Sequence, residues 1–352
     1  MATRKFAIPH GNFILPEHKL HDPNPNPRMI KHLLAGLSLI LVLTMSSCSK
    51  SGGTPPNPSV PPPVNPPVNT PTATIAAQIN SGAQFTTLKA AMNYAGLAST
   101  WDGAGPYTVF APIDSAFNTF GLTPANIQTK VPDTVKNALL YHALIGKVLS
   151  TDIPADKETK FICANGDSLF LTRNTSGVFV NGIRVRDADI TAGNGVIHAL
   201  TDVLQPTSKL NIVEMIANDP DFALLNRIIM RAGTGTTNIT QVLSSSAVTF
   251  FAPTLTALRA SRYPFAIDVN AAHPDSLAHF LLDQTFDGRI FSCDMKDGAK
   301  LVSLTGGKAT VTKSIVGKSL KGTAGNTPGM IILNDGLVRN GVIHVIDQVL
   351  TY

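Results

Sequence analysis

The chain changes texture three times before it settles into the pattern of a folded protein. Residues 1–28 are polar and proline-rich; from Met29 a short basic start (Lys31, His32) leads into the apolar run 33–45 and then small residues ending at Cys48. That order predicts an export signal. The run is too short for a membrane-spanning helix, which needs about 20 apolar residues. Residues 54–71 read TPPNPSVPPPVNPPVNTP, half of it proline. Proline lacks the backbone N–H and restrains the residue before it, so this stretch predicts an extended spacer at about 3.1 Å per residue, roughly 50 Å long.

Beyond the spacer the apolar positions take up a helical period. Residues 75–79 and 85–95 predict helices, with Gly82 and Gly96 as stops. Residues 108–111 predict a strand ended by Pro112. Asp114 or Ser115 can cap a helix placing Ala116, Phe117 and Phe120 on one face, and 132–143 predicts another that turns Val135, Leu139 and His142 or Ala143 to a core. From Lys147 the period shortens to that of strands, at 160–163, 168–171, 178–180, 183–186 and 196–200. Helices first and strands later predict an α+β fold, with helices packed on a β-sandwich or wedge.

The pattern then repeats. Tyr107-Thr108-Val109-Phe110-Ala111-Pro112 returns as Val248-Thr249-Phe250-Phe251-Ala252-Pro253, and Asn194-Gly195-Val196-Ile197-His198 returns as Asn340-Gly341-Val342-Ile343-His344. Two copies of one domain follow, 74–206 and 207–352, after an upstream extension and signal (1–47) and a stalk (48–73). Asn194-Gly195 and Asn340-Gly341 are hairpin-turn dipeptides, since both positions tolerate positive φ. In the strands that follow, alternation sets His198 and His344 among apolar neighbours, which favours neutral, hydrogen-bonded core histidines over metal ligands or catalytic bases.

Composition narrows the function classes. With 43% hydrophobic and 14% charged residues the chain suits folded domains. The formal charge of +5 owes much to Arg4, Lys5, Lys19, Arg28 and Lys31 in the leader, and no basic run with interleaved aromatics remains to bind nucleic acid. The sequence holds no G-x-S-x-G, H-E-x-x-H, P-loop or G-x-G-x-x-G motif. Neither a metal site nor a cofactor is expected. Cys163 and Cys293, one per copy at similar but not identical repeat positions, read as two buried free thiols.

The two repeated segments resemble the signature segments of the fasciclin domain: the TVFAP stretch with its following Ala116-Phe117 pair, and the NGVIH stretch. Tyr141-His142 matches the family's intervening Tyr-His pair. Met45-Ser46-Ser47-Cys48 resembles a lipobox, so the whole resembles a tandem fasciclin-domain lipoprotein of Bacteroidetes-like type. The resemblance implies diacylation at Cys48, a cell-envelope location on the outer membrane with the face left open, and a non-catalytic adhesion or ligand-binding protein. Its partner would be a cell-surface or matrix protein or a glycan, with Tyr141 and His142 as candidate contacts, one facing the core and the other solvent. Departures fall in the second copy, where Asp283-Gln284 stands at the Tyr-His position and Thr254-Leu255-Thr256-Ala257-Leu258 replaces the Asp-Ser-Ala-Phe run. Two alternatives stay open: glycan or small apolar ligand capture accessory to polysaccharide uptake, and an enzyme whose site is assembled by the fold.

Overall fold

The structure, a computed structural model, describes residues 73–315, 317–325 and 327–352; the export signal, Cys48 and most of the stalk lie outside the described residues. The first copy begins with α1 (Ile75–Ser81), whose first turn is capped by the Thr74 hydroxyl accepting from the Ala77 N–H. α2 (Thr86–Tyr94) and α3 (Ala98–Asp102) follow, burying Leu88, Met92 and Trp101. After β1 (Tyr107–Pro112) come α4 (Asp114–Asn118) and α5 (Pro132–Tyr141), the latter starting on a proline whose missing N–H costs nothing in the first turn. Strands complete the copy: β2 (Ala143–Ile145), β3 (Thr159–Ile162), β4 (Ser168–Asn174), β5 (Gly177–Val180), β6 (Ile183–Ala192) and β7 (Gly195–Leu200).

The second copy retraces this order. It runs α6 (Ile212–Asn218), α7 (Ala223–Ala232), α8 (Ile239–Ser245), β8 (Val248–Pro253), α9 (Leu255–Arg259), α10 (Ala266–Ala271), α11 (Pro274–Asp283) and β9 (Thr285–Asp287). It ends with β10 (Lys300–Val302), β11 (Lys308–Ser314), β12 (Gly317–Gly322), β13 (Gly329–Val338) and β14 (Gly341–Ile346).

Each sheet is ordered 2-1-7-6-5-4-3 in its own strands, and the repeated segments are neighbours second and third from one edge: β1 pairs with β7 in parallel, as β8 does with β14. The long strands β6 and β13 shift register twice along their length, which bends them enough to curl the sheet. The two edges then meet. Ala164 N donates to Ala143 O at 2.8 Å and Leu304 N to Thr285 O at 2.8 Å, so each sheet closes into a barrel-like body with its edges paired. One core fills the space between helices and sheet (Leu88, Trp101, Ile197) and a second fills the inside of the curl (Phe110, Leu171, Leu200). β7 and β14 are buried along their whole length for that reason. All the described core clusters draw on residues from Ile75 onward, so a chain beginning near residue 72 keeps every described core residue of both folds.

Two local expectations need correction. Asp114 does not cap its own helix, whose N-cap is Ile113. Its carboxylate instead accepts from Thr86 N (3.2 Å), Thr86 Oγ1 (2.8 Å) and Thr87 N (2.8 Å), capping α2 across the core boundary. The hairpin turns before β7 and β14 are Gly193-Asn194 and Arg339-Asn340, with Gly195 and Gly341 already in the strands. The Asn-Gly turn with both residues at positive φ lies elsewhere, at Asn181 (49°) and Gly182 (81°), between β5 and β6.

Candidate functional site

Because the Asn-Gly pairs are not turns, their recurrence needs another cause, and the side chains supply it. Asn194 Oδ1 accepts from Ile75 N (2.8 Å), while Nδ2 donates to Trp101 O (2.9 Å) and Gly103 O (2.6 Å). Asn340 does the same for the second copy, with Ile212 N (3.1 Å), Leu243 O (3.1 Å) and Ser246 O (2.9 Å). Each asparagine thus satisfies helix-end groups on two different helices from inside the core. The glycine after it lets two strands approach: a Cβ on Gly195 would sit 2.0 Å from Tyr107 O, and one on Gly341 2.0 Å from Val248 O.

His198 and His344 are buried and doubly bonded. Nδ1 of His198 accepts from Asp189 N (3.2 Å) and Nε2 donates to Val148 O (2.9 Å); His344 repeats this with Asp335 N (3.2 Å) and Ile290 O (2.8 Å). These partners fix the neutral Nε2–H tautomer, and burial pushes both imidazoles below their usual range. Each ring stacks on the strand-end phenylalanine beside it, Phe110 at 5.4 Å and Phe251 at 5.0 Å. Sequence reasoning missed the third member of this arrangement. Ser150 donates its hydroxyl to Asp189, and Ser292 donates to Asp335, so serine, aspartate and histidine converge twice. The wiring is not that of a nucleophile and its base: each hydroxyl meets a carboxylate and each Nε2 proton is held by a carbonyl. The signal was available as an aspartate nine residues before each histidine, in both copies.

Tyr141 and His142 are 0% and 2% exposed, so the expectation that one of them faces solvent is corrected. The helix end that carries them turns straight into β2, the edge strand that closes the sheet, which leaves neither ring a route outward. Tyr141 Oη bonds Ser168 O (3.2 Å) and accepts from Asn181 Nδ2 (2.9 Å); burial raises its pKa to about 12. Nδ1 of His142 donates to Ala138 O (2.8 Å) and Nε2 accepts from Leu204 N (3.0 Å), pinning the chain's exit from the first copy to α5. Burial lowers its pKa to about 4. Gln284 explains the departure in the second copy: its Nε2 reaches Phe280 O (3.4 Å) and Leu350 O (2.9 Å), and its Oε1 accepts from Leu350 N (2.9 Å). An amide has replaced an imidazole at the same two backbone positions.

The two copies meet along a seam built from β4 and the segment after β9. Phe170 packs on Phe291 (ring centroids 6.3 Å apart), and the Arg289 guanidinium lies 4.5 Å from the Phe170 centroid. Asn174 Nδ2 donates to Cys293 O (3.2 Å), and Gly182 leaves room for the Asp335 carboxylate. Glu158 sits beside Arg289; burial, only partly offset by that guanidinium, raises its pKa to about 7. Both cysteines are free, as expected; Cys163 is buried, whereas Cys293 is only partly buried, which corrects the expectation for that thiol. They are not repeat equivalents either. Cys163 bridges Leu144 at the sheet closure where Ser303 bridges Phe286, and Cys293 occupies the short helical turn that in the first copy holds Thr151. Trp101 is 1% exposed and packs in the core. Among the described residues no group of three or more His, Cys, Asp or Glu could hold a metal ion, and no helix is long and apolar enough to cross a membrane.

Comparison with known proteins agrees with this duplicated architecture. The chain is 37% identical over 123 residues to transforming growth factor-beta-induced protein ig-h3 of Sus scrofa, covering 35% of this chain and 18% of that protein. It is 32% identical over 124 residues to protein sll1483 of Synechocystis, covering 35% of this chain and 67% of that one. The match therefore spans about a fifth of ig-h3. A solved FAS1 domain pair from the insect cell adhesion molecule Fasciclin I is 16% identical, with a TM-score of 0.37 over 76% of this chain and 96% of that chain. The Fasciclin domain family model matches twice, at residues 83–206 and 228–352, and the chain belongs to the fasciclin domain family as a tandem pair.

Proposed function

We propose that the chain is a membrane-tethered, extracytoplasmic adhesion or ligand-binding protein that works without catalysis, its two domains (74–206 and 207–352) raised by the stalk from a lipid anchor at Cys48 in the outer membrane. Fasciclin domains are linked to adhesion and ligand binding. The observation that carries the reading is the fate of the motif residues. In both copies the asparagines and histidines, together with Tyr141, His142 and Gln284, are spent on hydrogen bonds inside the fold, and Asp283 accepts from the Thr305 hydroxyl, which leaves recognition of a cell-surface or matrix protein or a glycan to side chains outside the motifs. The buried Trp101 offers no platform for a sugar, and nothing else favours the uptake reading.

The test is capture by the immobilised 72–352 chain from cell-envelope extract and on a glycan array, beside an assay with common ester and glycoside substrates. Saturable capture by chain carrying His142→Gln as well as by wild type is expected. Turnover of those substrates would replace the binding reading with an enzymatic one.

A further inference from the structure

The copies share their cores and differ in one outward face. From residue 223 to the start of α11 at Pro274 the second copy carries Arg227, Arg231, Arg259 and Arg262 against one acid, Asp268; the matching stretch 86–131 of the first copy carries Lys89 and Lys130 balanced by Asp102 and Asp114. The elements that hold these arginines are neighbours, since α7 packs against both α9 and α10. α7 buries Leu225, Ile228 and Ile229, which turns Arg227 and Met230 outward. Arg231 leans to α10, its Nη2 donating to Ala272 O at 3.4 Å. Around them stand apolar side chains that the core does not take: Met230 is 60% exposed, Phe265 60% and Ile267 74%. Among the described residues no carboxylate lies at ion-pair distance from any of the four guanidinium groups. Two acids border the face: Asp268 accepts from Phe265 N at 2.9 Å, and Asp283 lines one cavity together with Arg262 while accepting from the Thr305 hydroxyl.

We propose that this face docks on a bilayer containing anionic phospholipid, the arginines on headgroup phosphates and Phe265, Ile267 and Met230 in the interfacial layer. Basic groups near such a surface are attracted electrostatically, and apolar side chains beside them gain by leaving water. Arginine matches phosphate with paired N–H donors, which a lysine does not offer. The mixture of the two kinds of residue selects the partner. A hydrated anionic polysaccharide would engage the guanidinium groups and leave Phe265 and Ile267 where they are, in water. At Asp114, whose carboxylate caps α2 in the first copy, the second copy has Leu255; that substitution removes an acid from the edge of this face and adds a half-covered apolar side chain.

The inference does not depend on adhesion, and its test separates the two. Chain 72–352, which lacks the Cys48 anchor, is sedimented with vesicles of phosphatidylcholine alone and with vesicles containing 30% phosphatidylglycerol, at low and at raised salt. Binding to the anionic vesicles, weakened by salt, is expected. Arg259→Gln with Arg262→Gln should lower the partition coefficient about 30-fold, at about 5-fold per arginine. Phe265→Ser with Ile267→Ser, which leaves the charge unchanged, should lower it on the same vesicles while the unfolding midpoint stays within the wild-type range. Equal sedimentation with both vesicle types, or none, overturns the proposal. So does full binding by the Phe265→Ser, Ile267→Ser chain together with competition by a soluble anionic polysaccharide, which would assign the face to such a polymer.

Discussion

Replacing His142 by glutamine should leave the first domain nearly as stable at pH 8 and make it more stable than wild type at pH 4.5. The premise is the identity of backbone partners: His142 serves Ala138 O and Leu204 N, and Gln284 serves Phe280 O and Leu350 N. Glutamine at 142 has the donor and the acceptor the site needs, so the change at pH 8 should stay within about 1 kcal/mol. Alanine has neither. It strands the buried Leu204 N–H and leaves a void, which together cost about 3 kcal/mol. The pH dependence follows from linkage. The imidazole pKa falls from 6.5 in the unfolded chain to about 4 in the folded one, so above pH 6.5 both states are neutral and the group adds no slope. As pH falls through that window the unfolded chain takes up a proton that the folded domain refuses, and stability drops by about 1.4 kcal/mol per unit, roughly 3 kcal/mol in all. His142→Gln removes that loss, whereas the losses from the other buried histidines, His198 and His344, remain in both proteins. The assay is urea unfolding followed by tryptophan emission. The chain has one tryptophan, Trp101, buried in the first domain's core, so its signal reports that domain alone. If His142→Gln proved as destabilising as His142→Ala at pH 8, or if its advantage over wild type did not grow between pH 6.5 and 4, the backbone-pin account would be wrong.

Three further outcomes follow from the same geometry. Asn194→Asp should be worse than Asn194→Ala in the Trp101 assay, because a carboxylate would face the carbonyls of Trp101 and Gly103 that the amide now donates to; a loss of about 3 kcal/mol or more is expected, and equal stability of the two variants would refute the donor assignment. Gly195→Ala should cost more than about 3 kcal/mol, since the new Cβ meets backbone at Tyr107 O rather than a side chain that can move, and a midpoint close to wild type would show that the parallel pair can separate cheaply. For Glu158 the sign is opposite to that of His142: its carboxyl pKa is raised from 4.5 to about 7, so its unfavourable contribution is absent below pH 4.5 and grows as pH rises toward 7. Glu158→Gln should therefore strengthen the seam at neutral pH and change little at pH 4.5, as read by hydrogen exchange of β4 and of the segment around Phe291; equal protection at both pH values would count against burial as the cause.

What the residues disclosed in advance was what neighbours along the chain decide. The helical runs near 75, 85 and 132 and the strand ended by Pro112 came out close to the spans read from their periodicity, because cap, stop and buried face lie within a few residues of one another. Duplication told more, since two segments that recur together in order must serve the same body. Their parallel pairing stayed hidden. It joins residues almost a domain apart, and nothing in either strand names the other. Asn194 was misread because Asn-Gly is a strong local turn signal, and the long-range demand of two helix ends outweighed it. His142 was weighed as a contact since a histidine at a helix end offers chemistry, whereas burial is a property of the closed sheet. The substitution at Gln284 reads in the sequence as the loss of a motif, whereas in the fold the same backbone groups are held.

The parallel strand pair also bears on how each repeat comes into being. β1 lies in the first half of its domain and β7 at the end, yet they are neighbours inside the sheet. An incomplete chain can form its helices but lacks the strand that joins β1 to β6, so the sheet is continuous only when the last segment arrives. Topologies dominated by such distant contacts fold slowly. A repeat still lacking its final strand has β1 paired on one side alone, so its sheet is the last part to be completed.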